Sequence, residues 1–182
     1  DQILEIFNRI NKIDLSKDAK EILEILLLTN SYYPEKNITK KQFLEMKYDW
    51  LIKNSNINLV EKFLLNNQIN DVSSKLTRYL VDYYLSRSNV EKSCEIFSKI
   101  QNNIEDEYLS KFKIYCLINS EKKEEAQLLL DLKKELGFKD KFFEKKINYL
   151  MGYNKDPEVL ISENTILEFH LSHRTNPNFK FE

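Results

Sequence analysis

The sequence predicts an all-α fold, and more narrowly a right-handed α-α superhelix, that is, a solenoid of antiparallel helix hairpins. Apolar residues recur every three or four positions through most of the 182 residues, which is the spacing of one helix face. This pattern returns with a period of about 33 residues, as in stacked helical repeats. Only two glycines occur, Gly137 and Gly152, whereas sheet-rich folds need glycine at their strained turns.

The clearest unit is residues 71–103, which we predict to form a helix, a tight turn and a second helix. Residues 86–89 interrupt the apolar spacing, and Asn89 suits the N-cap of the next helix because its side chain can accept an orphan backbone N–H. The second helix begins at Val90 and is apolar along one stripe. A pair this short must fold back as a helical hairpin. The apolar face of the first helix consists of Leu76, Leu80, Val81, Tyr84 and Leu85.

The same pattern appears on both sides of this unit when the frame is shifted by about 33 residues. The match extends over four units, and the alternative that it leaves open is an ordinary irregular helical bundle. In the second helices, Val60, Phe63 and Leu64 correspond to Ser93, Ile96 and Phe97, and then to Ala126, Leu129 and Leu130. In the first helices, Tyr48, Leu51 and Ile52 correspond to Val81, Tyr84 and Leu85, then to Ile114, Leu117 and Ile118, and then to Ile147, Leu150 and Met151.

Residues 90–97 and 124–130 both open with charged residues, followed by a small residue and then a large apolar residue four positions later. At this period, the pattern resembles the second helix of tetratricopeptide-type (TPR-like) repeats, and the resemblance covers residues 39–162. The closing proline between units is missing, and bulky residues replace the small residue usual in the first helix. The resemblance therefore implies a TPR-like solenoid with altered helix packing angles. These bulky residues are Tyr48, Val81, Ile114 and Ile147.

The resemblance also implies a concave face, lined by the first helix of each unit, that binds another protein or a peptide. The residues expected there mix acidic, basic and aromatic side chains. They lack the Lys/Asn/Arg set with which some family members bind a peptide's C-terminal carboxylate, so a receptor for chaperone tails is disfavoured. The expected row is Glu45, Asp49, Arg78, Asp82, Lys111, Tyr115, Glu144 and Asn148.

The first 30 residues lie outside the repeat, and we predict that they form an N-terminal helical hairpin cap. A short helix is expected up to Lys12, and Ser16 should cap a second helix that ends at Leu28. Residues 31–37 have the composition of a loop. In this second helix the residues expected to face inward are Ala19, Ile22, Leu23, Leu26 and Leu27.

Within the repeat region, Thr39 should cap the first helix, where Trp50 lies off the apolar stripe. Trp50 is interpreted as a residue at the edge of the core, with an exposed binding anchor as the alternative. Residues 56–67 complete this unit.

Helices are then predicted over residues 105–119, 121–136 and 139–151, with a weaker one at 157–161. The C-terminal part, residues 163–182, is predicted as a final helix at 163–173, capped by Ser162, and a loose tail.

Composition excludes several classes of protein. With two glycines, neither a Rossmann nor a P-loop nucleotide site can be formed, and no cofactor is expected. The 28 basic and 29 acidic residues are interleaved, which disfavours nucleic acid as a partner. The longest apolar run is far shorter than the roughly 20 residues that span a bilayer, so membrane insertion is not expected. The chain begins with Asp1 and not with methionine, and we interpret it as a piece of a longer protein, cytoplasmic by default or periplasmic if a leader was removed.

The candidate reactive residues do not predict a catalytic or metal site. His170 and His173 could face one metal ion, but a helix-borne zinc pair needs further ligands, so partly exposed ordinary histidines are favoured. Cys94 and Cys116 lie on apolar stripes and are interpreted as buried free thiols. Counted outward from the intervening turn, the two cysteines are offset by about one helical turn, which disfavours a disulfide.

We therefore predict a non-enzymatic protein–protein interaction or assembly module. Two alternatives stay open. One is an RNA-binding helical repeat, which the near-neutral charge disfavours. The other is an accessory domain of an enzyme whose active site lies outside these residues.

Overall fold

The all-α prediction is confirmed by the computed structural model, which describes residues 2–29, 36–54, 57–66, 74–100, 106–157 and 159–179. These residues contain ten α-helices, and none of them lies in a strand. The helices are α1 (Gln2–Ile10), α2 (Lys17–Leu28), α3 (Lys40–Asn54), α4 (Ile57–Asn66), α5 (Ser74–Leu85), α6 (Val90–Lys99), α7 (Glu107–Asn119), α8 (Lys123–Glu135), α9 (Lys141–Met151) and α10 (Ile166–Thr175).

Local capping chemistry sets several of the helix ends, and the caps predicted at Ser16, Thr39 and Asn89 are confirmed. The side chains of Ser16 and Asn89 accept hydrogen bonds from backbone N–H groups in the first turns of α2 and α6. Thr39 forms a reciprocal capping box at α3: its hydroxyl accepts from the Gln42 N–H, and the Gln42 side chain accepts from the Thr39 N–H. Gly152 ends α9 in the left-handed conformation, with φ of 84°.

The chain divides into two compact units, Asp1–Tyr79 and Leu80–Glu182, and the boundary falls within α5. In unit 1, Trp50 is fully buried, so its interpretation as an edge residue underestimated its burial. Tyr48 and Phe63 meet edge to face, with ring centroids 6.1 Å apart. The other deeply buried residues of unit 1 include Leu27, Leu51, Val60, Leu64 and Leu76.

Unit 2 is built around α7, which contacts α6, α8 and α9, while α10 contacts α9. One cluster of buried residues joins these helices, and Phe112 and Tyr115 at its centre are fully covered. Edge-to-face packing of Phe97 against Phe112, with centroids 5.2 Å apart, links α6 to α7. Other members of the cluster are Val81, Leu109, Ile114, Ala126, Leu130, Phe143, Ile147, Leu167 and Leu171.

Two of the positions that correspond at the 33-residue shift are buried in every unit. The bulky first-helix residues Tyr48, Val81, Ile114 and Ile147 are all nearly inaccessible, and so are Val60, Ser93 and Ala126 in the second helices. Ser93 is tolerated there because it is small and its hydroxyl donates to the Val81 carbonyl. The superhelix itself, and the TPR-like relationship, stay predictions.

The predicted inward face of α2 is wrong in part. Leu27 is buried, but Ile22 and Leu26 are 66% and 62% exposed. Seven of the twelve residues of α2 are Ile, Leu or Ala on several sides of the helix, so the spacing alone does not select the side that tertiary packing covers.

The predictions for the segment before α10 are also wrong. The described residues at 157 and 159–161 are not helical. Thr165 caps α10 instead of Ser162, and its hydroxyl accepts from the Glu168 N–H at 3.1 Å. Ser162 is engaged elsewhere, since its hydroxyl donates to the Glu168 carboxylate at 2.5 Å. The Thr-x-x-Glu spacing from Thr165 to Glu168 is a capping-box signal that identifies the correct start.

Candidate functional site

The residues of the predicted concave row that lie in unit 1 are the more accessible ones. Glu45 and Asp49 on α3 are exposed, and the Asp49 carboxylate accepts a hydrogen bond from Lys75. Arg78 on α5 is half-buried. Exposed ion pairs such as Asp49–Lys75 contribute little to stability, so Asp49 is accessible to another cation at small cost.

In unit 2, the row residues on α5, α7 and α9 mostly make intramolecular bonds. Asp82 accepts from the Tyr108 hydroxyl. Glu144 pairs with Lys134 at 3.1 Å and thereby links α9 to α8. Asn148 is half-buried, and its carbonyl accepts the Tyr153 N–H in the turn after α9.

Lys111 joins α7 to the start of α9. Its ammonium lies 2.6 Å from the Asp140 carboxylate and 3.2 Å from Glu107, and its side chain is only 13% exposed. Asp140 is also the N-cap of α9, because it accepts the Phe143 N–H at 2.9 Å.

The charges of this pair stabilise each other. Burial acts to raise the pKa of Asp140, but the hydrogen bonds from Lys111 and Phe143 outweigh it and lower that pKa. Burial likewise acts to lower the pKa of Lys111, and the bonds to Asp140 and Glu107 outweigh it, so that the pKa of Lys111 is raised. Both groups are therefore held in their charged forms, which fixes the first turn of α9 against α7.

Tyr115 lies at the centre of a polar cluster between α7 and α10. Its hydroxyl is 3.0 Å from Nε2 of His170 and accepts a hydrogen bond from Arg174 at 2.6 Å. Arg174 also donates to the side chain of Asn119 at 3.0 Å, which ties the end of α10 to the end of α7. We assign the Tyr115 hydroxyl as the donor and Nε2 of His170 as the acceptor, which places the ring proton of the neutral imidazole on Nδ1.

The burial of this cluster shifts its acid–base equilibria. Burial lowers the pKa of His170 to about 4, and the positive charges of Arg174 and His173 act in the same direction. Burial raises the pKa of Tyr115, and Arg174 offsets part of that rise. Both side chains are therefore neutral near pH 7. His170 is buried, so its interpretation as a partly exposed histidine is wrong.

The cluster is closed to ligands. Tyr115 has no exposed surface, and His170 is only 8% exposed. In the described arrangement Tyr115 thus holds α10 against α7 and does not face a partner. Perturbed pKa values can mark active sites, but here the geometry gives them a structural cause.

Cys94 on α6 and Cys116 on α7 form a disulfide, with Cα atoms 5.5 Å apart, so the interpretation as free thiols is wrong. The sequence argument assumed that both helices start level at the turn. In the structure α6 ends at Lys99, and α7 begins only at Glu107. A connection of this length lets α7 start beyond the end of α6, which brings the two cysteines level.

A groove of about 570 Å³ opens beside the disulfide. It has an apolar floor at Phe97, Ile100 and Leu117, and its rim carries Glu91, Glu95, Lys113 and Lys122. The Lys99 ammonium, with Lys92 nearby, lowers the pKa of Glu95. The rim carries two carboxylates and two ammonium groups, so the groove favours neither sign of ligand charge.

Two helices expose apolar side chains along one side. On α2 these are Ile22, Ile25 and Leu26, which are 66%, 69% and 62% exposed, and we name them the α2 face. On α8 the exposed leucines are Leu128, Leu132 and Leu136 at the helix end, accompanied by carboxylates. Contiguous exposed apolar residues on a folded chain mark interaction sites more often than single ones do.

Two further properties concern only the described part of the chain. None of its helices has the length and apolar character needed to cross a membrane. It also holds no group of three or more His, Cys, Asp or Glu side chains placed to bind a metal ion.

Comparisons with known proteins give no match. Searches against protein-family models, curated proteins and solved structures all found none.

Sequence reasoning missed the α2 face, the disulfide and the Tyr115–His170 contact. Exposed leucines on α8 could have been recognised, because residues 128–130 are three consecutive leucines and a helix buries at most part of such a run. Tyr115 and His170 are 55 positions apart, and no local spacing predicts their contact.

Proposed function

We propose that this chain is a non-enzymatic protein–protein interaction or assembly module, and that the α2 face is its main binding surface. The observation that carries the proposal is the exposure of Ile22, Ile25 and Leu26 on one side of a capped helix. The opposite side of α2 contains the buried Leu27, so α2 is held in place while its outer side is free to bind.

The area of this face is sufficient for a binding anchor. The three side chains are each about two-thirds exposed, so together they present about as much apolar surface as two fully exposed aliphatic side chains. Burying that much apolar surface contributes about 3–6 kcal/mol before the costs of association. This is the size of contribution that a few central residues make in protein interfaces.

The row predicted from the TPR-like resemblance is the second candidate surface. Its accessible members are Glu45 and Asp49 in unit 1. In unit 2, Lys111 and Tyr115 are bonded to α9 and α10. We therefore favour the α2 face over this row.

The test compares three forms of the full chain as bait for proteins of the source cell: wild type, I22S/I25S/L26S, and K17S/E21S. The third is the matched control, because Lys17 and Glu21 are exposed on the same helix and form an exposed ion pair. Bound proteins are quantified by mass spectrometry, and self-association by sedimentation.

The proposal is supported if the wild type and the control capture the same proteins or self-associate, and if I22S/I25S/L26S does neither. Equal recovery with all three forms would assign the binding to another surface. An absence of both specific capture and self-association would contradict an interaction module.

A further inference from the structure

A second surface, in unit 2, combines apolar and acidic side chains on one side of α8. Leu128, Leu132 and Leu136 are 72%, 50% and 80% exposed, and they recur every four residues along one row. Ala126 and Leu130, on the other side of the helix, are fully buried in the core of unit 2. This row is therefore presented outward by a helix whose inner side is fixed.

Four carboxylates flank the leucine row. At 100° per residue, the carboxylates of Glu124, Glu125, Asp131 and Glu135 project on the same half of α8 as the leucines. All four are exposed. Together with the three leucines they define what we name the α8 face.

The lysines of α8 are mostly directed away from this face. Lys123 donates to the Met151 carbonyl, Lys134 pairs with Glu144, and the Lys133 ammonium lies 5.8 Å from the Phe138 ring. Within the described residues, only Lys122 pairs with a carboxylate of the face, Glu125 at 3.3 Å. The α8 face thus presents apolar surface framed by negative charge.

We infer that the α8 face binds an amphipathic helical segment of another protein, with apolar residues spaced three and four apart and flanked by lysine or arginine. A row of leucines one turn apart fits the ridges of a second helix. The flanking carboxylates attract cations and repel anionic partners. This charge disfavours nucleic acid and anionic membranes. It also disfavours a second copy of the chain docked through the same face, because carboxylates would then meet carboxylates.

The inference concerns a different unit from the α2 face, so the two proposals can fail separately. The probe is a fluorescent helical peptide of about 18 residues composed of leucine and lysine, with the leucines on one face. Two comparison peptides carry glutamate in place of lysine, or the same leucines and lysines in an order without a helical face. Binding to the full chain is measured by fluorescence anisotropy.

We expect the amphipathic lysine peptide to bind more tightly than both comparison peptides. The variant L128S/L132S/L136S should weaken its binding by about tenfold or more, since three apolar contacts are lost. The matched control V159S/I161S removes exposed apolar residues elsewhere in unit 2 and should bind as the wild type does. The variant E124K/D131K/E135K should reverse the preference, so that the glutamate peptide binds better than the lysine peptide.

Circular dichroism of each variant confirms that the helices are intact before affinities are compared. Equal binding of the lysine peptide by the leucine variant and the wild type would overturn the inference. So would an unchanged preference in the charge-reversed variant, or the absence of measurable binding by the wild type.

Discussion

Acidification should destabilise the folded chain through His170, well above the pH at which carboxylates protonate. The pKa of His170 is lowered from 6.5 to about 4 in the folded chain. The unfolded chain therefore binds the proton more readily, and the free energy of unfolding falls as pH decreases from about 6.5 towards 4. Integrated from pH 7 to pH 5, this difference in pKa corresponds to a loss of about 2 kcal/mol.

The main cause of the lowered pKa is the burial of His170, and the positive charges of Arg174 and His173 act in the same direction. In the neutral ring, Nε2 accepts from Tyr115, whose oxygen in turn accepts from Arg174. Protonation adds a buried positive charge beside Arg174, and Nε2 then no longer accepts from Tyr115.

The assay is urea unfolding at pH 7, 6 and 5, with the free energy obtained by linear extrapolation. H170Q retains a polar side chain that does not titrate, and it should lose the decrease of about 2 kcal/mol between pH 7 and pH 5. H173Q changes an exposed histidine on the same helix and should retain the decrease. All three proteins carry the same carboxylates, so a difference between them is due to the histidines. The same pH dependence in H170Q and the wild type would refute the reasoning.

Three further predictions concern stability. Reduction of the Cys94–Cys116 bond, which closes a separation of 22 residues, should lower the free energy of unfolding by about 3 kcal/mol. D140A should be less stable than D140N by about 1 kcal/mol, because asparagine can still accept the Phe143 N–H at the helix start. G152A should destabilise by about 1 kcal/mol, since its φ of 84° disfavours a side chain. Urea unfolding measures all three.

Each of these predictions has its own control. The double variant C94A/C116A should not respond to reductant, and a response as large as that of the wild type would contradict the assignment to this bond. Equal stabilities of D140A and D140N would exclude the capping role of Asp140. G152N should be less destabilised than G152A because asparagine tolerates the left-handed conformation better.

Local features of the fold were predictable from sequence. Ser16 and Asn89 start their helices and Gly152 ends one, because caps depend only on a residue and its near neighbours. The side of α2 that packs inward was not predictable, since Ile22 and Leu27 are equally apolar and only the tertiary structure distinguishes them.

The candidate sites were less predictable than the helices. Lys111 and Tyr115 were assigned to a binding row by resemblance, yet their partners lie far along the chain, Asp140 at the N-cap of α9 and His170 on α10. The Lys111–Asp140 and Tyr115–His170 pairs depend on how α9 and α10 pack against α7. Residues 128–130 indicate that α8 exposes some of its leucines, but which ones are exposed follows only once the buried side of that helix is known.

The disulfide has a consequence for where partners should be sought. Disulfides persist in oxidising compartments and are rare in the cytosol, where thiol reductants keep cysteines reduced. A bait produced in a reducing cytosol would carry α6 and α7 without their covalent link, and two thiols would be among the groups that line its groove. Screens with secreted or periplasmic protein libraries, under non-reducing conditions, present the chain in the state that the structure describes.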